Sequence, residues 1–504
     1  MRHIPDEIWG QIFASLEDYL SSKNWWLYGA LLKHEGLKTL RSLALVSRQF
    51  QRIAQPLLYR NLFLEGRDNE QLAQVRLLRT LCEHPQLGQC VRDVSFEDRI
   101  FRRGLDSQLG DTTLSNILKT GLASLNLPPP AIQRLERSLS RRCGLAALAA
   151  SYMPHLRLID CTLRLNDSSL PFMLSGRLGS ERDSLGQLEE QNEACEDDHN
   201  DEEQTNGKYA PISMEGISTN YTFPNLTEVR IKGNCCDATT PVFVVEPILL
   251  HPTLKRLRTL GIRWNGEESR QLKWPDQRSN LQYLDLKESI IDAAGLRSVL
   301  SRCPNLKGLL IEMAGYRREE GLSEDGWIVD LNDFGNILRE LGRGLEELDI
   351  HTLEYKSYRC TDGRIGSLQT LSLLKHLKID EEDFLTVRGM APALRLNDTL
   401  PPTLQTLYLH WGQEYYREDF HKSERQRVNK AIHSLVMGGE VDNLREIQVE
   451  RYHNDTMEGE WNFELKLDGW NASVKNEHLW VRCNSPGCMR TILVLSRKPL
   501  ISVD

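Results

Sequence analysis

The sequence predicts an α/β fold in which a small helical module precedes a series of strand-plus-helix units. Three observations lead to this expectation. Apolar residues recur at helical spacing within residues 1–65, a phrase of alternating leucines recurs between residues 226 and 449, and helix-like stretches separate its copies. A 3.6-residue period indicates a helix, and strict alternation indicates a strand.

The helical module begins with the segment IPDEIWGQIFASLED. Pro5 suits the first turn of a helix, and Asp6 and Glu7 are favourable near its positive end. Two apolar stripes then follow, the first made of Ile8, Ile12, Phe13 and Leu16, and the second of Leu43, Val46, Phe50 and Ile53. Pro56 is expected to stop the second helix. We therefore expect two or three short helices in a small bundle.

The recurring phrase follows the pattern L-x-x-L-x-L, as in NLQYLDL and TLQTLYL. Its first leucines are Leu226, Leu257, Leu281, Leu306, Leu345, Leu374, Leu404 and Leu444, which lie 24 to 40 residues apart. This is the signature of a leucine-rich-repeat solenoid, a strand and a return helix in each unit. MPHLRLIDC at 153–161 and, more weakly, CVRDVSFE at 90–97 extend it towards the N-terminus. Stacking such units makes a continuous core and an extended binding surface.

Strand alternation predicts which side chains of each phrase point away from that core. The residues between the recurring leucines are expected to be exposed on one face of the sheet. Among them we select as candidate contacts for a target protein Tyr283, Asp285, Lys287, Asp349, His351, Tyr408 and His410. This row mixes both signs of charge, so it does not indicate whether a target must be phosphorylated.

These patterns divide the chain into four segments. The helical module spans 1–65, connecting helices and a first irregular repeat span 66–150, the solenoid spans 151–460, and a β-rich cap spans 461–504. Within the solenoid, 181–210 is predicted to be a disordered acidic insertion, because it combines high charge with few large apolar residues. The alternating stretches WNFELKL at 461–467, LWVRC at 479–483 and CMRTILVLS at 488–496, the last two separated by an NSPG turn, indicate the strands of the cap.

Composition and charge narrow the classes of function. The 504-residue chain is 40% hydrophobic and 26% charged, with a net charge of −9. Residues 181–203 hold eleven acidic and one basic residue, a net of −10, so the rest of the chain carries −9 + 10 = +1. A nearly neutral body has no dominant basic field, and we expect no nucleic-acid partner. No apolar run reaches the roughly 18 residues of a membrane span, and we expect no membrane association.

The N-terminal sequence and the cysteines indicate the compartment. The start MRHIPDEIWG lacks the basic and apolar regions of a signal peptide, which predicts a cytoplasmic or nuclear protein. The eleven cysteines are scattered and are expected to be reduced there. Cys483 and Cys488 lack the further ligands that a tetrahedral zinc site needs, so we expect no metal and no cofactor.

The N-terminal segment resembles the F-box, in particular that of fungal F-box proteins with leucine-rich repeats. The matching pieces are IPDEI with Ile12, Phe13 and Leu16, then LALVSRQF at 43–50 and PLLYR at 56–60. HPQLGQCVRDVSF at 84–96 also resembles the phrase that often follows in that family. The connection between the first and second helices, YLSSKNWWLYGALLKHEGLKT, is longer here by two or three helical turns, which bears on how the module would dock.

The resemblance implies a partner and a mechanism. An F-box binds the Skp adaptor of a cullin-RING ubiquitin ligase of the SCF type, and the domain that follows recruits the protein to be ubiquitinated. The residues implied as adaptor-binding are Ile4, Pro5, Glu7, Ile8, Ile12, Leu16, Leu45, Val46, Phe50 and Leu57. A small module with more apolar side chains than its own core can use is consistent with half of an interface.

The expected function is therefore that of a non-enzymatic substrate receptor, with the Skp adaptor, a cullin and an unidentified target protein as partners. Two alternatives stay open: an F-box scaffold that acts outside the ligase, and an enzyme whose site lies in the C-terminal region. No phosphate-binding loop, metalloprotease helix or nucleophile elbow is present in the sequence. No catalytic residue is assigned.

Overall fold

The computed structural model shows a mixed α/β protein. It describes residues 4–16, 35–64, 70–96, 111–125, 129–140, 144–163, 169–174, 223–233, 239–314, 328–352, 359–360, 363–380, 395–410, 430–438, 442–453, 469–478 and 489–498. These fall into two compact units, Met1–Asn234 with Phe243–Leu257, and Cys235–Val242 with Arg258–Asp504. Among the described residues, no helix is both long and apolar enough to cross a membrane. The predicted insertion at 181–210 and residues 19–34 of the long connection at 19–39 lie outside the described residues, whereas residues 35–39 of that connection begin a helix.

The first unit contains most of the described helices and four strands. The helices are α1 (Asp6–Ala14), α2 (Glu35–Ala44), α3 (Arg48–Leu58), α4 (Glu70–Glu83), α5 (Pro85–Gly88), α6 (Asp111–Ala123), α7 (Pro129–Ser140), α8 (Leu145–Ala150), α9 (Ser169–Leu174) and α10 (Val242–Leu249), whose first residue belongs to the second unit. The strands are β1 (Asn61–Leu64), β2 (Asp93–Phe96), β3 (Leu158–Leu163) and β4 (Glu228–Gly233). The strands pair in this order and are all parallel.

Two local features of this unit differ from the sequence expectation. Pro56 does not stop α3, which continues to Leu58. The last residues of the predicted helical module, Asn61–Leu64, form β1 and pair with β2. A four-residue segment takes the conformation that its neighbours allow, and here the partner strand outweighs the helical context.

The second unit contains the larger part of the described sheet. Its strands are β5 (Thr240–Pro241), β6 (Arg256–Leu260), which straddles the unit boundary, β7 (Ile262–Trp264), β8 (Tyr283–Ile291), β9 (Gly308–Met313), β10 (Ile328–Val329), β11 (Glu347–Thr352), β12 (Arg359–Cys360), β13 (His376–Asp380), β14 (Thr406–His410), β15 (Glu446–His453), β16 (Trp470–His478) and β17 (Met489–Arg497). Its helices are α11 (Gly266–Arg270), α12 (Ala293–Arg302), α13 (Leu331–Leu341) and a segment at 430–438.

The main strands of this unit follow one another in the order β6, β8, β9, β11, β13, β14 and β15, and each pair from β8 onward is parallel. The register aligns the apolar residues of successive strands into columns. One column consists of Leu284, Leu309, Leu348, Leu377, Leu407 and Ile447, all of them buried. Aliphatic side chains at equivalent positions therefore form one continuous core along the strands.

The backbone corrects the position of one copy of the leucine phrase. The first leucine of the second copy is Leu254, not Leu257. Its N–H donates to the carbonyl of His251, three residues back, as that of Leu226 does to Phe223. The two gaps on either side become 254 − 226 = 28 and 281 − 254 = 27 residues, in place of 31 and 24.

Helix α12 shows how a helix is fixed between two strands. Asp292 caps it, because Oδ1 accepts the N–H of Gly295 at 2.7 Å, while Oδ2 accepts the N–H of Gly266 at 2.9 Å. Gly295 lies so close to the chain before α11 that a Cβ there would be 1.8 Å from the carbonyl oxygen of Trp264. Only glycine allows this approach without displacing the backbone. The predicted helix-like stretch DAAGLRSVLSRC is thus a helix whose start is held to its neighbour.

Two antiparallel strands follow the last parallel one. β15 pairs with β17, and β17 pairs with β16. The strand predicted at 488–496 corresponds to β17, whereas the predicted NSPG turn and the alternating stretch WNFELKL lie outside the described residues. The side chains of Ile492 and Val494 in β17 are buried against Tyr408.

Candidate functional site

Five large hydrophobic side chains other than proline are exposed among the described residues of the N-terminal helical module. Ile8 and Ile12 are 45% and 47% exposed and lie one turn apart on the same face of α1, and Ile4, which is 43% exposed, lies just before the helix begins. Leu45 and Val46 are 82% and 66% exposed in the turn between α2 and α3. We call these five residues the apolar row.

The opposite face of α1 belongs to a compact core. Phe13, Leu40 and Ala54 are fully buried there. The ring of Phe50 contacts Trp9 and Phe13 at centroid separations of 4.9 and 5.2 Å, both edge-to-face. The module therefore has an internal core, and the apolar row is the part of its hydrophobic surface that this core does not use.

Polar contacts hold the two parts of the apolar row together. The Ser47 side chain accepts the N–H of Phe50 at 3.1 Å and so caps α3 directly after Leu45 and Val46. Asp6 at the start of α1 accepts a bond from the Gln49 amide at 2.7 Å and pairs with Arg52 in α3. The beginning of α1 is thus fixed beside the first turns of α3.

The structure separates the predicted adaptor-binding residues into two groups. Ile4, Pro5, Glu7, Ile8, Ile12, Leu45 and Val46 are exposed. Leu16, Phe50 and Leu57 are partly buried and pack against the internal core. The sequence pattern could not distinguish these groups, because both lie on apolar stripes with the same helical period.

The side chains predicted to point outward do lie on the face of the sheet opposite the leucines, but they are less exposed than expected. Tyr283, Asp285 and Lys287 are half-buried on the face opposite the leucine column. The expectation that Asp349, His351, Tyr408 and His410 are exposed is wrong, since their exposed fractions are 9%, 6%, 9% and 7%. These side chains contact one another and their neighbours across strands, so they do not form an open binding row.

Asp349, His351 and His410 form the centre of a buried polar cluster. His351 Nδ1 lies 2.6 Å from Asp349 Oδ1, and the two imidazole rings stack with centroids 4.1 Å apart. His410 Nδ1 donates to Glu450 Oε2 at 3.0 Å, and the Tyr408 hydroxyl donates to the same oxygen. The cluster joins residues from β11, β14 and β15.

Glu312 extends the cluster to β9 and sets its charge state. Burial acts to raise the pKa of Glu312, but the Lys287 ammonium at 3.2 Å and His351 outweigh it and lower the pKa to about 2. Burial acts to lower the pKa of His351, but Asp349 and Glu312 raise it to about 10. Burial likewise opposes ionisation of Asp349, yet contact with His351 and His410 holds the pKa of this carboxyl well below its usual range.

Sequence reasoning missed Glu312 and gave Glu450 no contact. Both occupy the outward position next to a buried aliphatic residue in a leucine phrase, Glu312 after Ile311 and Glu450 after Val449. Strand alternation predicts an exposed Glu450, which is wrong because this residue is fully buried, and the same alternation applied to the phrase with Ile311 would have selected Glu312. Their contacts with His351 and His410 depend on strand order and side-chain reach, which the phrase alone does not contain.

Comparison with known proteins agrees with the N-terminal module. A family model described as F-box-like matches residues 1–65. No curated protein matches the chain. F-box domains generally bind Skp adaptors in SCF complexes. The chain thus carries an F-box-like domain ahead of a sheet that is dominated by parallel strands.

Proposed function

We propose that this protein is a substrate receptor of an SCF-type cullin-RING ubiquitin ligase. Its F-box-like domain would bind the Skp adaptor through the apolar row, and the adaptor would connect it to the cullin. The second part of the proposal is that the strand-plus-helix units form a leucine-rich-repeat array that binds the protein to be ubiquitinated. The chain itself performs no catalysis in this proposal and works in the cytoplasm, the nucleus or both.

The observation that carries the proposal is the apolar row within the F-box-like match. Leu45 and Val46 are the two most exposed large hydrophobic residues among those described. Burying an apolar side chain of this size contributes roughly 1.5–3 kcal/mol, so a partner that covers all five residues gains several kcal/mol. Leu45 and Val46 also precede a capped helix, so little ordering is needed when a partner covers them.

The leucine phrases support the repeat array. Eight phrases lie in chain order, and the strands from β8 to β15 pair in that order with their leucines in one register. Helices α12 and α13 separate consecutive strands, as a strand-plus-helix repeat requires. The likeness to fungal F-box proteins with such repeats rests on the N-terminal motifs, and the repeat array resembles theirs in architecture alone.

A capture experiment with the tagged full-length chain tests the proposal. The wild type is compared with the double variant Pro5→Ala, Val46→Asp, which alters Val46 of the apolar row and the exposed Pro5 beside Ile4 without removing a residue of the internal core. The matched control is Leu373→Asp, because Leu373 is also exposed, at 51%, but lies outside the F-box-like domain. Captured adaptor and cullin are detected by immunoblotting.

We expect the wild type and Leu373→Asp to retain both proteins and the double variant to lose both. Capture of the adaptor without the cullin would replace the receptor function by that of a scaffold outside the ligase. Failure of the wild type to capture either protein would overturn the proposal. A double variant that still captures both would show that the apolar row is not the docking surface.

A further inference from the structure

The buried cluster on β11 and β14 contains a set of atoms that suits a metal ion. Asp349, His351 and His410 each offer one ligand atom, and these atoms all lie within 4.8 Å of one another. Two imidazoles and a carboxylate form a donor set that divalent zinc and its first-row neighbours prefer. The three side chains are at least about nine-tenths buried.

His410 provides the independent observation, because one of its ring nitrogens has no hydrogen-bond partner. Its Nδ1 faces a carboxylate oxygen of Glu450 and must therefore carry the proton of that hydrogen bond. In the neutral ring, Nε2 then carries a lone pair, and this atom is buried inside the protein. Among the described residues nothing donates to it. Histidines that bind a metal through one ring nitrogen usually donate the N–H of the other nitrogen to a carboxylate, as His410 does to Glu450.

The separation between His410 Nε2 and Asp349 Oδ1 fits two ligands of one ion. It is 3.6 Å, which is too long for a hydrogen bond. Two ligands at about 2.0–2.1 Å from a tetrahedral zinc are roughly 3.3 Å apart, from the tetrahedral angle and the usual bond lengths. A shift of a few tenths of an ångström would bring both atoms into coordination.

The charge of the cluster leaves room for a cation. The three carboxylates of Glu312, Asp349 and Glu450 outweigh the two ammonium groups of Lys287 and Lys378, −3 + 2 = −1, and without a metal the protonated ring of His351 supplies the balancing positive charge, which a bound ion would replace. Lys287 lies 3.2 Å from Glu312, and Lys378 lies 3.4 Å from Asp349.

We propose that Asp349, His351 and His410 bind one zinc ion that links β11 to β14 across β13. The stacked rings cannot both direct their lone pairs at one ion, so the His351 ring must turn about its Cβ–Cγ bond, a torsion with a broad energy minimum. Glu450 then holds His410 in place from behind. The ion ties together two strands that do not pair directly, and it acts independently of the F-box-like domain.

The test is a metal titration of the full-length protein after removal of metal by a chelator. Zinc content after dialysis is measured by mass spectrometry, and the shift of the unfolding temperature on adding zinc is measured by calorimetry. His410→Asn and Asp349→Asn remove one ligand each while keeping the size of the side chain similar. His376→Asn is the matched control. His376 in β13 lies on the same face of the sheet as the cluster, but its Nδ1 bonds to Thr406 and it is not a proposed ligand.

We expect the wild type and His376→Asn to retain one more equivalent of zinc than the two ligand variants, and to show a rise in unfolding temperature that these variants lose. Equal zinc content in all four proteins would overturn the proposal, and so would the absence of binding to the wild type. Cobalt replaces zinc in a second measurement on the wild type alone, which is informative even if the variants fail to fold. Visible bands of nitrogen and oxygen ligation support the site, whereas strong thiolate charge-transfer bands would assign the metal to cysteines instead.

Discussion

Acidification is expected to destabilise the first unit through one buried histidine. His251 is fully buried directly after α10, and its Nδ1 lies 3.1 Å from the Thr253 hydroxyl, which in turn donates to the carbonyl of Leu226. Burial lowers the pKa of His251 to about 4, from an ordinary value of 6.5. Since the folded pKa lies below the unfolded one, the unfolded chain binds a proton first as the pH falls.

The size of the effect follows from the two pKa values. Below pH 6.5 each pH unit costs about 1.4 kcal/mol of unfolding free energy, until the folded histidine is protonated as well. This amounts to about 2 kcal/mol at pH 5 and about 3 kcal/mol at pH 4. Above pH 6.5 the contribution of this residue no longer changes with pH.

Urea unfolding at pH 7 and pH 5, followed by circular dichroism, measures the effect on the transition of the first unit. The variant His251→Asn cannot titrate and keeps an N–H donor near the position of Nδ1, so it should lose about 2 kcal/mol of the difference between the two pH values. His433→Asn, which alters an exposed histidine, serves as the control and should behave like the wild type. If His251→Asn and the wild type respond equally to pH, the reasoning is refuted.

Three further predictions concern folding and docking. Val46→Asp should abolish adaptor capture without changing the unfolding midpoint. Phe50→Ala should instead destabilise the helical module by about 3 kcal/mol, because it removes a ring from its core. Equal effects of the two variants on stability would contradict the assignment of the apolar row. Gly295→Ala should cost about 2–3 kcal/mol in a urea melt, since its Cβ has no space, while Gly10→Ala, with nothing within 4 Å, should be neutral or slightly stabilising. Asp292→Ala should cost about 2 kcal/mol in the same assay, because one carboxylate caps two helices, and a loss below about 0.5 kcal/mol would argue against the double cap.

The features that the sequence predicted correctly depend on short patterns of neighbouring residues. The phrases placed the strands from β8 to β15, and the alternation within each phrase identified the face that carries the leucines. The N-terminal pattern also located the F-box-like module, which the family comparison supports. These features depend on residues a few positions apart, where the geometry of a strand or helix fixes the outcome.

Other features depend on contacts that are distant along the chain. Leu254 and Leu257 both fit the leucine phrase, and only the backbone pairing shows that Leu254 is the first position. Parity placed His410 and Asp349 on one face, but it could not show that side chains 61 residues apart bury each other. Burial depends on strand order and side-chain reach, so the exposure of the cluster was the part of the site that sequence reasoning predicted incorrectly.

Because the strands share one register, insertions and deletions should be tolerated at some positions of the chain and not at others. The first leucines are 25 to 40 residues apart from Leu281 onward, yet the strands that follow them pair residue for residue, apart from an irregularity after Leu286 in β8. The number of residues between strands therefore varies, while the paired positions of the buried leucines stay fixed. Deleting one residue inside β13 would exchange Leu377 and Ile379 with the ionic side chains of the opposite face. Insertions between strands, by contrast, leave every column intact, so this is where a tag or a new loop can be introduced with the least disturbance.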